Sequence, residues 1–173
     1  LVMKERKEPL QAHILKRGVY DQPGEPVQRN TPGFLPPLQS TGDIKSRMDL
    51  ANWVVAPYNP LTARVAVNRF WQQCFGTGLV KTSADFGAQG DRPSHPELLD
   101  YLSLQFMESG WDIKQLMRTI VMSESYQQSS KINPESRVND PENRLLARGS
   151  RFRMDSEMVR DQVLMAGGLL NHD

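Results

Sequence analysis

Asp85, Asp91, His95 and Glu97 lie close together in one glycine-containing stretch. Carboxylates beside a histidine are the groups that acid–base catalysis uses, and a carboxylate pair is what glycoside hydrolysis requires. These four residues are therefore the candidate catalytic groups. A second reading accounts for the same stretch, DRPSHPELLD (Asp91–Asp100). Ser94 and Glu97 have the spacing of a capping box, in which the hydroxyl accepts from the third amide and the glutamate reaches back to the cap. On that reading His95 sits in the first turn of a helix, and it is the reading adopted; no catalytic constellation is identified. A metal site would need further ligands, but the other histidines, His13 and His172, lie in an arm and at the end of the sequence. Asp85, Asp91 and Asp100 are not spaced as a calcium loop, so no metal site is predicted.

Arg64, Asn68, Arg69 and Trp71 form a second set, all within one helical segment. Such a set can hold a carboxylate or sulfate, or stack on a sugar ring. It can equally be a buried structural network in which Arg64 and Asn68 satisfy carbonyls of the glycine-containing loop. The structural reading is favoured, since buried polar groups must be paired. Arg144, Arg148, Arg151, Arg153 and Arg160 make the C-terminal third locally basic, but interspersed acids point to ion pairs within the chain. Cys74 reads as a small buried hydrophobe.

The elements that must position these groups are helical. Ser46–Val55 predicts one short helix. Asn59 before Pro60 is a good start for a second, which runs to Phe75 ahead of Gly76 and Gly78. A third helix follows Ser94 to about Ser109, with Leu98, Leu99, Leu102 and Phe106 as its stripe, and Gly110 ends it. Asp112 caps a fourth, with Trp111 placed to pack on Leu116. The short turn between them predicts an antiparallel helical hairpin. Residues 127–139 read as a polar loop, Glu142–Arg148 as a short helix, and Ser156–Ala166 as a last helix capped by Asp155, with Val159, Val163 and Ala166 facing inward. Residues 1–42 are proline-rich and read as an extended arm in which only His13–Arg17 has strand character. The fold class is mainly α: an irregular helical domain over 43–173, truncated at its C-terminal end, with a central helical hairpin, behind the arm of 1–42.

Composition narrows the partners. Lys and Arg total 21 against 20 Asp and Glu. No global field favours nucleic acid, and nucleic-acid binding is excluded. The single cysteine excludes an internal disulfide and a haem attachment of the CxxCH type in this chain, so no cofactor is expected here. No apolar run is long enough to span a bilayer.

The run from Asn59 to Ser130, NPLTARVAVNRFWQQCFGTGLVKTSADFGAQGDRPSHPELLDYLSLQFMESGWDIKQLMRTIVMSESYQQSS, closely resembles the planctomycete-specific domain of unknown function of the PSD-one type. HILKRGVYDQPGEPV (His13–Val27) and DPENRLLARGSRFRMDSEMVRDQVLMAGGLL (Asp140–Leu170) are similar to it as well. The resemblance implies a C-terminal domain of an exported, multidomain bacterial protein, periplasmic or at the cell surface. Cytochrome c-like domains accompany it there, so haem would belong to a separate domain of the parent, and a link to polysaccharide metabolism is implied. It brings no catalytic residues with it. The expected function is a noncatalytic interaction or scaffold module whose partners are the parent's other domains. The alternatives are an enzyme or enzyme subunit acting on exported polysaccharide, and a carbohydrate-binding module, with a glycan as partner, using Trp53, Trp71 or Trp111.

Overall fold

A strand containing two prolines has few amides to donate, so it can pair only along one edge. Pro23–Val27 (β2) does this, lying antiparallel to Ala12–Leu15 (β1) with Ala12 opposite Val27, His13 opposite Pro26 and Leu15 opposite Pro23. The computed structural model describes residues 8, 10–40, 42 and 44–171. These divide into two compact units, Leu1–Thr62 and Ala63–Asp173; His172 lies outside the described residues.

In the first unit the two strands are joined by a tight turn in which Arg17 and Gly18 both have positive φ, 52° and 75°. The proline-rich stretch thus holds a small ribbon, of which only the first strand had a sequence signal. Gly24 lies within the second strand, and glycine is required there because a Cβ would lie 2.7 Å from the carbonyl oxygen of Ile14. Arg47–Val54 (α1) opens on a full capping box: the Ser46 hydroxyl accepts from the Asp49 amide, and the Asp49 carboxylate accepts from the Ser46 amide at 2.7 Å. That backbone bond, with the Ser46 hydroxyl, holds the Asp49 carboxyl below its ordinary pKa. The Trp53 indole donates to the Pro36 carbonyl at 2.9 Å. Asn59, buried, accepts from the amides of Leu61 and Thr62 and so caps the next helix as its position before Pro60 predicts.

Thr62–Phe75 (α2) leads into the second unit, which also holds Pro96–Glu108 (α3), Ile113–Val121 (α4), Glu124–Gln127 (α5), Pro134–Asn139 (α6) and Ser156–Ala166 (α7). Its core joins Val67, Trp71, Cys74 and Phe75 of α2 to Leu79 and Val80, to Leu99, Leu102 and Phe106 of α3, and to Leu116 and Ile120 of α4. The chain is mainly α, with the α3–α4 hairpin at the centre of this unit. The hairpin turn is tight because two consecutive residues are left-handed, Gly110 at φ 73° and Trp111 at 65°. That conformation is unfavourable for an aromatic residue. Trp111 compensates by packing edge-on to Phe106 at 5.2 Å. Asp112 accepts from the Gln115 amide, and Ser109 completes the cap by accepting from the Asp112 amide.

Three local expectations fail, each for a physical reason. Helix α3 begins at Pro96 with His95 as its cap residue and no side-chain cap bond, because the Ser94 hydroxyl is directed to Leu79 and His95 instead of the helix. The short helix lies at Pro134–Asn139, capped by Asn133, within the stretch read as loop, and Glu142–Arg148 is not helical. Asn143 and Leu146 there have φ of 55° and 56°, which no right-handed helix admits. Helix α7 forms where expected but buries no residue, and Asp155 makes no cap bond.

Candidate functional site

After α2 the chain must pass through the core without regular structure, and every buried backbone group on that path needs a partner. Gly78, Leu79 and Val80 are all buried. Side chains from distant segments pair them. Asn68, fully buried in the middle of α2, accepts from the Val80 amide at 2.8 Å and donates to the Val80 carbonyl at 3.0 Å, as a neighbouring strand would. Arg144 donates to the carbonyls of Gly78 and Leu79, each at 2.8 Å. The Ser94 amide donates to the same Leu79 oxygen at 2.9 Å. The fit around Asn68 leaves room only for glycine: a Cβ on Gly78 would lie 2.6 Å from Asn68 Nδ2 and 2.6 Å from the Val80 oxygen.

The residues singled out in α2 do not converge. Asn68 holds Val80. Arg64 pairs with Asp100 of α3 at 2.7 Å, half exposed. Arg69 is exposed and borders a shallow groove with Arg153 and Asp155. Trp71 is buried and stacks on Phe75 at 4.2 Å with nearly parallel rings. Arg144 takes the role assigned to Arg64, and local sequence carries no signal for a clamp between residues 65 and 66 positions apart.

Of the four candidate acid–base groups, Asp85 and Asp91 lie in the loop before α3, and His95 and Glu97 at the start of that helix. Asp85 accepts from the Gly87 amide at 2.8 Å, closing a tight turn. The Thr82 hydroxyl donates to the Asp85 carbonyl and accepts from the Asp91 amide, which fixes the path of the loop. His95 is half-buried with Nδ1 at 3.0 Å from the Ser94 hydroxyl, and Glu97 is exposed on the first turn of α3. Among the described residues, no three His, Cys, Asp or Glu side chains gather as a metal site, and no helix is long and apolar enough to cross a membrane. Of the three tryptophans, Trp71 is buried, and Trp53 and Trp111 are half-buried.

The segment after α6 is organised by its own polar groups. Asp140, buried, accepts from the amides of Arg144 and Leu145, while Asn143 bonds the Arg148 backbone in both directions. Arg148 is only 7% exposed, and its guanidinium donates to the carbonyls of Asp140 and Pro141. The expectation that these arginines form ion pairs fails for Arg144 and Arg148, which clamp carbonyls; Arg160 does pair, with Asp161. Between this segment and the C-terminal end of α2 lies a cavity of about 320 Å³, walled by Trp71 and Phe75 and bordered by Arg144, Arg148 and Arg151. Glu142 at its edge is drawn outward by Lys81 at 2.8 Å, and that ammonium holds its carboxyl below the ordinary pKa.

Neither the curated proteins nor the solved structures contain a match to the chain. The model of the family PSD1, "Protein of unknown function (DUF1553)", matches residues 46–173, a span that begins at the α1 cap and takes in the Gly78–Val80 path, the hairpin, the arginine segment and α7. The chain belongs to the PSD1 family of proteins of unknown function.

Proposed function

We propose that the chain is a noncatalytic helical interaction module of an exported, multidomain bacterial protein, and that α7 is the element through which it packs on another domain of that protein. One observation carries this reading. Helix α7 lies within the family match and buries nothing: Val159 is 47%, Val163 66% and Met165 68% exposed, and Leu169 just beyond the helix is 74% exposed. Val159, Val163 and Ala166 recur at helical spacing on one face, and an apolar face of this kind in water marks a surface that a partner covers. On this reading the arm of 1–42 and the domain of 43–173 act together in the parent, which lies in the periplasm or at the cell surface, and any haem resides in a separate domain.

Amide exchange tests it. Residues 156–169 should exchange distinctly more slowly in the full parent protein than in this chain alone. Val159→Glu with Val163→Glu should abolish the slowing and leave the chain's own unfolding midpoint unchanged. Equal exchange in chain and parent overturns the reading. Turnover of a sulfated or unsulfated polysaccharide by the chain alone would replace it with the enzymatic alternative.

A further inference from the structure

The 320 Å³ cavity beside α2 has a charge that its own walls do not neutralise. Arg144, Arg148 and Arg151 border it against one acid, Glu142, whose carboxylate is engaged by Lys81. Arg144 and Arg148 each direct two N–H groups to backbone carbonyls, and Asp140, the buried carboxylate of the same segment, accepts from two backbone amides. Among the described residues, no carboxylate stands within ion-pair range of any of the three guanidinium groups. Arg148, the buried one of the three, is paired only with neutral dipoles and carries an uncompensated desolvation cost, whereas Arg144 is half-buried and its charge helps to lower the Glu142 pKa. Each clamping guanidinium has five N–H donors, so it can clamp its carbonyls and still donate to a ligand.

The remaining wall has the opposite character. Trp71 and Phe75, stacked on each other and only 4% and 6% exposed, back the cavity, and Ile132 and Phe152 at the rim are 48% and 41% exposed. The volume is near the lower end of the ~300–1,000 Å³ typical of small-molecule sites. We propose that this cavity binds a single six-membered ring bearing a carboxylate, with the ring against the Trp71 and Phe75 wall and the carboxylate among the three arginines. Guanidinium groups match the planar carboxylate, and an aromatic wall accepts the face of an aromatic or a sugar ring.

The test uses the whole chain at constant ionic strength, with benzoate and glucuronate as the two ring types and benzyl alcohol and glucose as their neutral counterparts. Nuclear magnetic resonance titration should show at least one carboxylate saturating at one equivalent with Kd at or below ~1 mM, shifting the Trp71 indole and the Gly76–Leu79 amides. The neutral counterpart should bind at least about tenfold more weakly, and the preferred ring identifies the ligand type. Arg151 is exposed and clamps no carbonyl among the described residues, so Arg151→Gln should fold normally and weaken binding about fivefold or more. Arg160→Gln, outside the cavity, should change nothing. The proposal is overturned if neither carboxylate saturates, if shifts fall elsewhere, or if the two arginine variants weaken binding equally.

Discussion

Replacing Asn68 by leucine removes both of its hydrogen bonds to Val80, and a longer one to Ser83, while nearly preserving volume. The Val80 amide and carbonyl, bonded to Asn68 at 2.8 and 3.0 Å, would both be orphaned at a residue that is only 3% exposed. A buried backbone group left unsatisfied costs about 1–3 kcal/mol, so Asn68→Leu should destabilise by ~2–6 kcal/mol. Against the ~5–15 kcal/mol that holds an ordinary domain folded, this leaves the chain marginal. Asn68→Asp separates geometry from bulk. A neutral aspartic acid can still accept from the Val80 amide and donate to its carbonyl; the carboxylate can only accept and is buried against a carbonyl oxygen. Its folded pKa should therefore rise above the unfolded value of about 3.9. A raised pKa means stability that is present below the unfolded pKa and lost as pH rises through the folded one. Urea unfolding followed by tryptophan fluorescence should show the deficit of Asn68→Asp widening from about pH 4 to pH 7. A loss below ~0.5 kcal/mol in Asn68→Leu, or a flat pH profile in Asn68→Asp, would refute the pairing of α2 with Val80.

Gly78→Ala forces a methyl group onto the Asn68 amide and the Val80 oxygen, so it should destabilise by about 1–3 kcal/mol or more and couple non-additively with Asn68→Leu in a double-mutant cycle. Gly110→Ala meets no atom within 4 Å but must hold φ at 73°, so its cost should be purely conformational, about 1 kcal/mol in thermal or urea unfolding. Arg144→Lys can reach one carbonyl but cannot span Gly78 and Leu79, and should lose ~1.5–3 kcal/mol. Lys81→Met should return the Glu142 carboxyl toward its ordinary pKa, read by carboxyl resonance titration; the native pair favours folding above the unfolded pKa, and that contribution fades as pH falls through the folded one. The Cys74 thiol is buried and its pKa raised by that burial, so thiol reagents at neutral pH should modify it only at the rate of unfolding.

Helices α2, α3 and α4 were legible because their signals are local. Apolar residues recur at helical spacing, Asn59 and Asp112 are caps whose partners lie two or three residues away, and Gly110 ends α3. The role of Asn68 was legible in kind, since a polar side chain on a buried stripe must find a partner. The errors fall where a side chain serves a distant segment. Ser94 has the spacing of a cap, yet its hydroxyl bonds Leu79, 15 residues back. Arg144 sits among acids as surface ion pairs do, yet its carbonyls belong to Gly78 and Leu79. The helix expected at 142–148 is displaced because positive φ at Asn143 and Leu146 turns the chain so that Arg144 and Arg148 reach their carbonyls.

These errors share one cause, the buried path Gly78–Leu79–Val80. A helix there, or a strand paired with a neighbour, would satisfy the backbone and leave Asn68, Ser94 and Arg144 free of that task. Without regular structure it draws on all three, from α2, the approach to α3 and the segment after α6. Arg144 then carries its charge to the cavity edge in the course of holding the backbone, and Arg148, clamping Asp140 and Pro141, brings a second. Structural pairing by itself calls only for donors to carbonyls, which a neutral amide such as Asn68 supplies. Three cations against one acid, Glu142, beside an aromatic wall, exceed that requirement. Neutralising Arg148 with Arg148→Met should therefore separate the two demands: the Asp140 and Pro141 carbonyls lose their donors and stability falls, while Arg151→Gln leaves stability intact and weakens only carboxylate binding. If Arg151→Gln instead destabilised the fold as Arg148→Met does, the basic rim would be structural throughout and the cavity would have no ligand to explain.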